Sequence, residues 1–422
     1  MQLPETFLYG ATIGAHQVEG ADFESDWWRW EQRPLRIRDG ETSERGAGHL
    51  TRYEDDLKLA RKLGHNAVCI SVSWPRIQPA ADRFDRNALD HYQRVFSSAA
   101  SCGLTPLCIL HHITQPVWFS ERGGWHGADA ATLFQDYARQ VAATLGGLCR
   151  WWLPVYEPEF WLTRVYRERR WPGWEGGGYR AALRQLAAAQ RLTAAAIREA
   201  CPEALVGVSV RGAVVEPMDP HSPWDARAAQ REQHRINMRF IEAAMDASDA
   251  GEGFMDFIGL SFYGAMRVRF APLHIRGGFA LPVDERGHDV EADHTHENAE
   301  GIEELLSTFA QLRKPILLTG VGMATEDDNA RCLFLRRHIE TLLRSMQSGG
   351  DGLDVRAFFC ASLLDGFEWR HGYTRRYGLV HVKHPGLERT PNPSAWFFKD
   401  IAEHGCIREG AEKQFCRKEG DS

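Results

Sequence analysis

The chain has 422 residues, 43% of them hydrophobic and 25% charged, with a formal net charge of −7. This is enough apolar material for a full core, and the acidic balance excludes the basic footprint by which a protein neutralises nucleic-acid phosphates. Nine cysteines, scattered from Cys69 to Cys416, form no CxxC pair and no cluster with histidine, which argues against a disulfide framework or a zinc site.

Short apolar runs alternate with amphipathic stretches along the whole chain. Strands are predicted over residues 7–10, 67–73, 105–110, 151–156, 205–210, 257–262, 315–319 and 355–361. Helices are predicted over 50–63, 87–101, 131–145, 179–200, 231–245, 301–312, 329–346 and 393–403. Eight strand-then-helix units with nearly continuous apolar strands point to an α/β fold, a parallel (β/α)8 TIM barrel, whose chemistry sits at the carboxyl ends of the strands. No linker or low-complexity stretch divides the sequence, so one domain is expected over residues 1–404, followed by a polar tail over 405–422 that frays. The first residues lack a basic start, and no segment approaches eighteen uninterrupted apolar residues. The expectation is a cytoplasmic protein that does not engage a membrane.

Several strand-end motifs resemble those of glycoside hydrolase family 1, the β-glucosidase family, over almost the entire chain. Residues 7–12 and His16-Gln17-Val18-Glu19-Gly20 resemble its opening signature ending in QxEG, Tyr53 to Leu57 resembles YKEDI, and Ser71 to Ile77 resembles SISWPRI. His111-His112 with Gln115-Pro116 and Gly123-Gly124-Trp125 are similar to YHWDLP and GGW. Later segments follow in order: 362–369, 377–380 and 389–391.

The resemblance implies a role for particular residues. Tyr156-Glu157-Pro158 stands where the family has NEP, so Glu157 takes the place of the acid/base. A glycosidic oxygen is a poor leaving group until protonated, and a carboxyl in an apolar pocket keeps its proton near neutral pH. Gln17, His112, Glu368 and Trp369 match positions that bind the nonreducing sugar, and Tyr263 matches the tyrosine beside the nucleophile. At residues 316–323 the chain reads ILLTGVGM where the family has ITENGMA, which puts Gly320 at the nucleophile position. Three other positions depart with it: Cys69 replaces an arginine that contacts the nucleophile, Tyr156 replaces the asparagine that bonds the sugar 2-hydroxyl, and Ala361 replaces the tryptophan behind the sugar ring.

Retaining glycosidases need two carboxylates. Their reduction to one leaves three expectations: attack by an external nucleophile such as a water or small anion in the space vacated at Gly320, transfer to an acceptor, or a repurposed acid/base reaction. A catalytically inactive protein that binds a glycoside is the alternative. The segment from Arg164 through Arg167 and Trp171 to Trp174 reads either as an entrance loop for an anionic or planar leaving group or as a solvated charged loop. The implied partner is a small glycoside or sugar-like metabolite, and no motif calls for a metal or organic cofactor.

Overall fold

The run Ala67–Ser71 is buried along its whole length, as a strand is when helices cover one face and a packed barrel interior the other. It is one of eight parallel strands in the computed structural model, which describes residues 3–173, 178–245, 253–272, 280–291, 294–349, 352–410 and 414–415. In chain order the strands are β1 (Leu8–Ile13), β2 (Ala67–Ser71), β3 (Thr105–His111), β4 (Trp151–Val155), β5 (Leu205–Pro217), β6 (Phe257–Phe270), β7 (Ala280–Val283), β8 (Ile316–Val321) and β9 (Val355–Cys360). All but β7 pair side by side in a closed parallel ring, with β9 returning to β1. The (β/α)8 barrel expected from the sequence is the fold observed.

Three features differ from the sequence reading. Strands β5 and β6 run on to Pro217 and Phe270, because after a register shift between Gly212 and Val214 they continue as a ribbon beyond the barrel, joined by antiparallel β7. The helix predicted over 231–245 is two, Pro223–Asn237 and Arg239–Met245, parted at Met238. The first of them begins well before residue 231 because Ser222 accepts from the Asp225 amide and Pro223 occupies the first turn. A hairpin of β10 (Val380–Lys383) and β11 (Glu388–Pro391) was not foreseen. The beginning of the expected tail is tied down: the Leu3 amide donates to the Gly405 carbonyl at 2.7 Å, and Arg408 pairs with Asp400. Residues 416–422 lie outside the described residues.

A buried ion cluster joins the helix His49–Lys62 to β11. Asp56, 1% exposed, contacts His49 Nδ1 at 2.8 Å and accepts from Arg389 Nε at 2.8 Å and Nη2 at 3.0 Å. Asp56→Ala leaves the Arg389 guanidinium buried without this anion and is expected to cost about 3–5 kcal/mol in urea denaturation. Burial alone would raise the Asp56 pKa, but the hydrogen bonds from His49 and Arg389 outweigh it and hold the carboxyl below its usual value. With the folded value below the unfolded one near 3.9, this contribution is complete above that pH and lost as pH falls through the folded value. The stability gap between wild type and Asp56→Ala should therefore shrink below about pH 4.

Candidate active site

At the carboxyl ends of the barrel strands lies a cavity of about 840 Å³, mouth included. Gln17, His112, Tyr156, Glu157, Arg164, Trp171, Tyr263, Ala361, Glu368 and Trp369 all line it, although they come from positions more than 350 residues apart in sequence. Among the described lining residues the carboxyl groups are Glu157 and Glu368.

Glu157 directly follows β4 and starts the helix Pro158–Leu162, with its backbone at φ 47° and ψ 50°. A non-glycine residue held in that left-handed region before a proline costs about 1–3 kcal/mol, which surrounding packing must offset. The Glu157 amide donates to Ser209 Oγ at 3.1 Å, anchoring the turn to β5. The carboxyl is 4% exposed. Tyr263 donates to Oε1 at 3.4 Å, and Arg211 Nη1 lies 3.5 Å from Oε2. Burial raises the Glu157 pKa above its usual value, while the Arg211 charge and hydrogen bonds from Ser261, Arg211 and Tyr263 pull the other way. A raised carboxyl is one that retains its proton further toward neutral pH.

Gln17, Glu368 and His112 form the opposite wall. Gln17 Nε2 donates to Glu368 Oε1 at 2.9 Å. Burial, helped by the Asp365 charge, pushes Glu368 up to about 8, and burial and then the His16 charge bring His112 down to about 3. Gly14 makes this approach possible, since a Cβ there would stand 2.2 Å from Gln17 Oε1 and 2.8 Å from His112 Cε1. Trp369 stacks on His16 with centroids 5.6 Å apart and planes 3° from parallel. Burial acts to lower the His16 pKa, but hydrogen bonds with Asp22 and Glu31 outweigh it and bring the imidazole up to about 9. Among the described residues no group of three or more His, Cys, Asp or Glu side chains is placed to hold a metal ion.

The floor of the cavity corrects one expectation. The space beside Gly320, expected to be vacated, is taken by Tyr156. A Cβ built on Gly320 would stand 2.8 Å from the Tyr156 hydroxyl, 3.2 Å from that of Tyr263 and 3.4 Å from Ser261 Oγ. The Tyr156 hydroxyl donates to the Thr319 carbonyl at 3.1 Å and lies 2.9 Å from Ser261 Oγ. Its ring packs in the barrel interior in one apolar cluster with Cys69, Leu107, Ile109 and Leu153. Burial, reinforced by the Glu157 charge, raises the phenol well above its ordinary pKa. Gly320, Cys69 and Tyr156 thus form one packing solution, in which a small residue at each of two positions admits a large one at the third.

The arginine-rich loop divides in two. Residues 163–167 form a wide π turn, which sends Arg164 and Arg167 to different sides. Arg164 reaches the cavity wall but is held by Glu168 and Glu291, so it braces the loop. Arg167 does not join the cavity: it pairs with Glu232 and borders a separate cleft with Tyr179 and Arg235, contrary to its expected place on the leaving-group side. Trp171 lines the cavity, packed on Trp27 and Trp369, and Trp174 lies outside the described residues. The sequence reading passed over Arg211. Its signal was position, because it is the first charged residue after the predicted strand ending at Val210, on the barrel face that carries chemistry.

The model of the family described as glycosyl hydrolase family 1 matches residues 1–252 and 246–406. The chain belongs to this family. Among characterised members, a 1,4-beta-D-glucan glucohydrolase from Thermotoga neapolitana is 25% identical over 456 residues, covering 97% of this chain and 100% of the relative. Thermostable beta-glucosidase B from Thermobispora bispora is 27% identical, covering 97% and 92%. The solved beta-glycosidase from Pyrococcus horikoshii superposes with a TM-score of 0.88 at 27% identity, covering 99% of each chain. Within this family 1 barrel, the positions matched from sequence fall into two groups. Gln17, His112, Glu157, Tyr263, Glu368 and Trp369 converge on the cavity, whereas Cys69 belongs to the packing beneath it.

Proposed function

We propose that this family 1 protein is an enzyme that acts on a glycoside or sugar-like metabolite through Glu157 and does not follow the double-displacement route of an ordinary retaining β-glucosidase. The observation that carries this reading is the pairing of a buried Glu157, whose pKa is raised by burial, with a glycine at 320 whose side-chain space is filled by the Tyr156 phenol. Protonation of a leaving oxygen by Glu157 is supported by its burial and by the adjacent Tyr263 and Arg211. Formation of a glycosyl ester requires a second carboxylate opposite the acid, and residue 320 supplies none. Tyr156 is a poor substitute, because its hydroxyl is committed to Thr319 and its pKa is raised.

The nucleophile in this reading is external, either water or the hydroxyl of an acceptor, or else Glu157 serves as the acid/base of a reaction that forms no glycosyl intermediate. The retained wall supports a hydroxyl-rich ligand, since Gln17 is bonded to Glu368 and the His112 ring packs on Tyr156 and Trp369. Hydrolysis of 4-nitrophenyl β-D-glucoside and β-D-galactoside is expected to fall far below the typical enzymatic turnover of ~10 s⁻¹. Turnover near that value with retention of configuration would overturn the proposal. Absence of turnover across a broad panel of glycosides, with binding intact, would favour the inactive binding protein.

A further inference from the structure

We infer that the ligand of this site is a partly deoxygenated sugar, a deoxyhexoside whose hydroxyl groups meet Gln17, His112 and Glu368 while an edge bearing no hydroxyl lies on Ile109, Ile113, Tyr156 and Ala361. The inference rests on the reading of the cavity as a glycoside site and adds the chemical class of the sugar.

The two parts of the lining differ in what they can offer a ligand. On the wall, Gln17 commits one amide hydrogen to Glu368 and keeps the other together with its carbonyl oxygen, and Glu368 keeps its second oxygen. The His112 ring is held by packing on Tyr156 and Trp369, and its nitrogens take no hydrogen-bond partner among the described residues. The hydroxyls at the floor are already committed. Each has a single hydrogen, and Thr12 gives its own to the Cys360 carbonyl at 3.4 Å, Ser362 to the Leu364 carbonyl at 2.7 Å and Tyr156 to the Thr319 carbonyl at 3.1 Å. The surface left there is carbon, from Ile109, Ile113, Ala361 and the Tyr156 ring, all of which line the cavity. These groups close on Gly320 from two sides: Tyr156 follows β4, with its amide bonded to the His111 carbonyl of β3 at 2.9 Å, and Ala361 follows β9, with its amide bonded to the Val321 carbonyl at 3.0 Å.

The backbone at Ile113 points the same way. The Thr114 amide donates to the His112 carbonyl at 2.8 Å and closes a three-residue turn, with Ile113 at its centre at φ 73°. Such turns are rare, and a β-branched residue at positive φ carries a strain that asparagine or glycine would relieve. The buried Trp161 fixes the turn by donating from Nε1 to the Ile113 carbonyl at 3.1 Å. The Ile113 side chain is 3% exposed and lines the cavity, so the strained turn presents hydrocarbon to the ligand. A ligand hydroxyl pressed on this surface gives up water and finds no donor, whereas a methylene or methyl group there buries apolar area. A fully hydroxylated hexose therefore suits the wall and not the floor.

The test removes one hydroxyl at a time. Calorimetric titration of the wild-type protein would compare 4-nitrophenyl 1-thio-β-D-glucoside, whose sulfur linkage resists cleavage, with its 2-, 3-, 4- and 6-deoxy analogues. At least one analogue, lacking the hydroxyl that faces the floor, is expected to bind about 10- to 100-fold more tightly than the parent, and at least one that loses a hydroxyl from the wall to bind about 10-fold more weakly. Ile109→Thr, which puts a hydroxyl on the floor with little change of shape, should cut the preference for the tighter analogue at least about threefold. Ile113→Asn, which suits left-handed backbone, should do the same without loss of thermal stability. A parent that binds as tightly as every analogue, or more tightly, overturns the inference but leaves the glycoside reading standing. A preference unchanged in both variants also overturns it, as does a series in which no analogue loses affinity. Failure of the parent and of all four analogues to bind removes both readings.

Discussion

Replacing Glu157 by Gln is expected to lower turnover of the protein's substrate by about 10²- to 10⁴-fold while changing ligand affinity only modestly. The amide keeps the shape of the side chain and can still accept from Tyr263, but it has no proton to give to a leaving oxygen and none to take from an acceptor. The loss should therefore fall on kcat, which separates a proton-transfer role from a packing role. The pH profile supplies an independent readout. Where Glu157 acts as an acid, wild-type activity declines as pH rises through its raised pKa, and that limb is absent from the residual activity of Glu157→Gln. A variant with activity within threefold of wild type would show that the proton moves through another group.

The second large effect concerns Tyr156. Azide or formate is expected not to accelerate cleavage of 2,4-dinitrophenyl β-D-glucoside by the wild-type protein, because the place such an anion would take beside Gly320 holds the phenol. In Tyr156→Asn, which frees that place, the same anions should accelerate cleavage about tenfold or more. Gly320→Glu alone is expected to remain inactive and to lose about 1–3 kcal/mol of stability, since even its Cβ would meet the Tyr156 hydroxyl at 2.8 Å. Combined with Tyr156→Asn and Cys69→Arg, the glutamate gains both room and a cationic partner. The triple variant should hydrolyse the activated glucoside with retention of configuration at least about 10²-fold faster than its parent, as the proposed function requires if the glutamate supplies the second carboxylate that a retaining mechanism needs. Equal activity of Gly320→Glu alone would mean that Tyr156 is no obstacle.

The barrel was legible because each strand is a short apolar run set between helices of clear periodicity, a pattern local enough to read from Ala67–Ser71 or Ile316–Val321. The ribbon extending β5 and β6 was not, since Gly212 to Pro217 pairs with residues some fifty positions later and carries no turn signal at its true end. The cavity residues were legible one at a time, through motif positions. Their mutual arrangement was not: nothing in the local sequence says that the Tyr156 ring turns into the barrel interior and places its hydroxyl beside Gly320, because that depends on the space left by Cys69 on a strand two places away. Arg167 was misplaced for a similar reason, as a regular helical turn would have kept it on the face of Arg164, whereas the π turn rotates it toward Glu232.

The bond between the Leu3 amide and the Gly405 carbonyl brings two remote points of the chain together before β1 and after the last barrel helix. Both points lie on the side of the barrel opposite the strand ends that carry Glu157. A surface or fusion partner attached near either residue would therefore leave the entrance facing open solution, so an immobilised form should bind its ligand as readily as the protein free in solution.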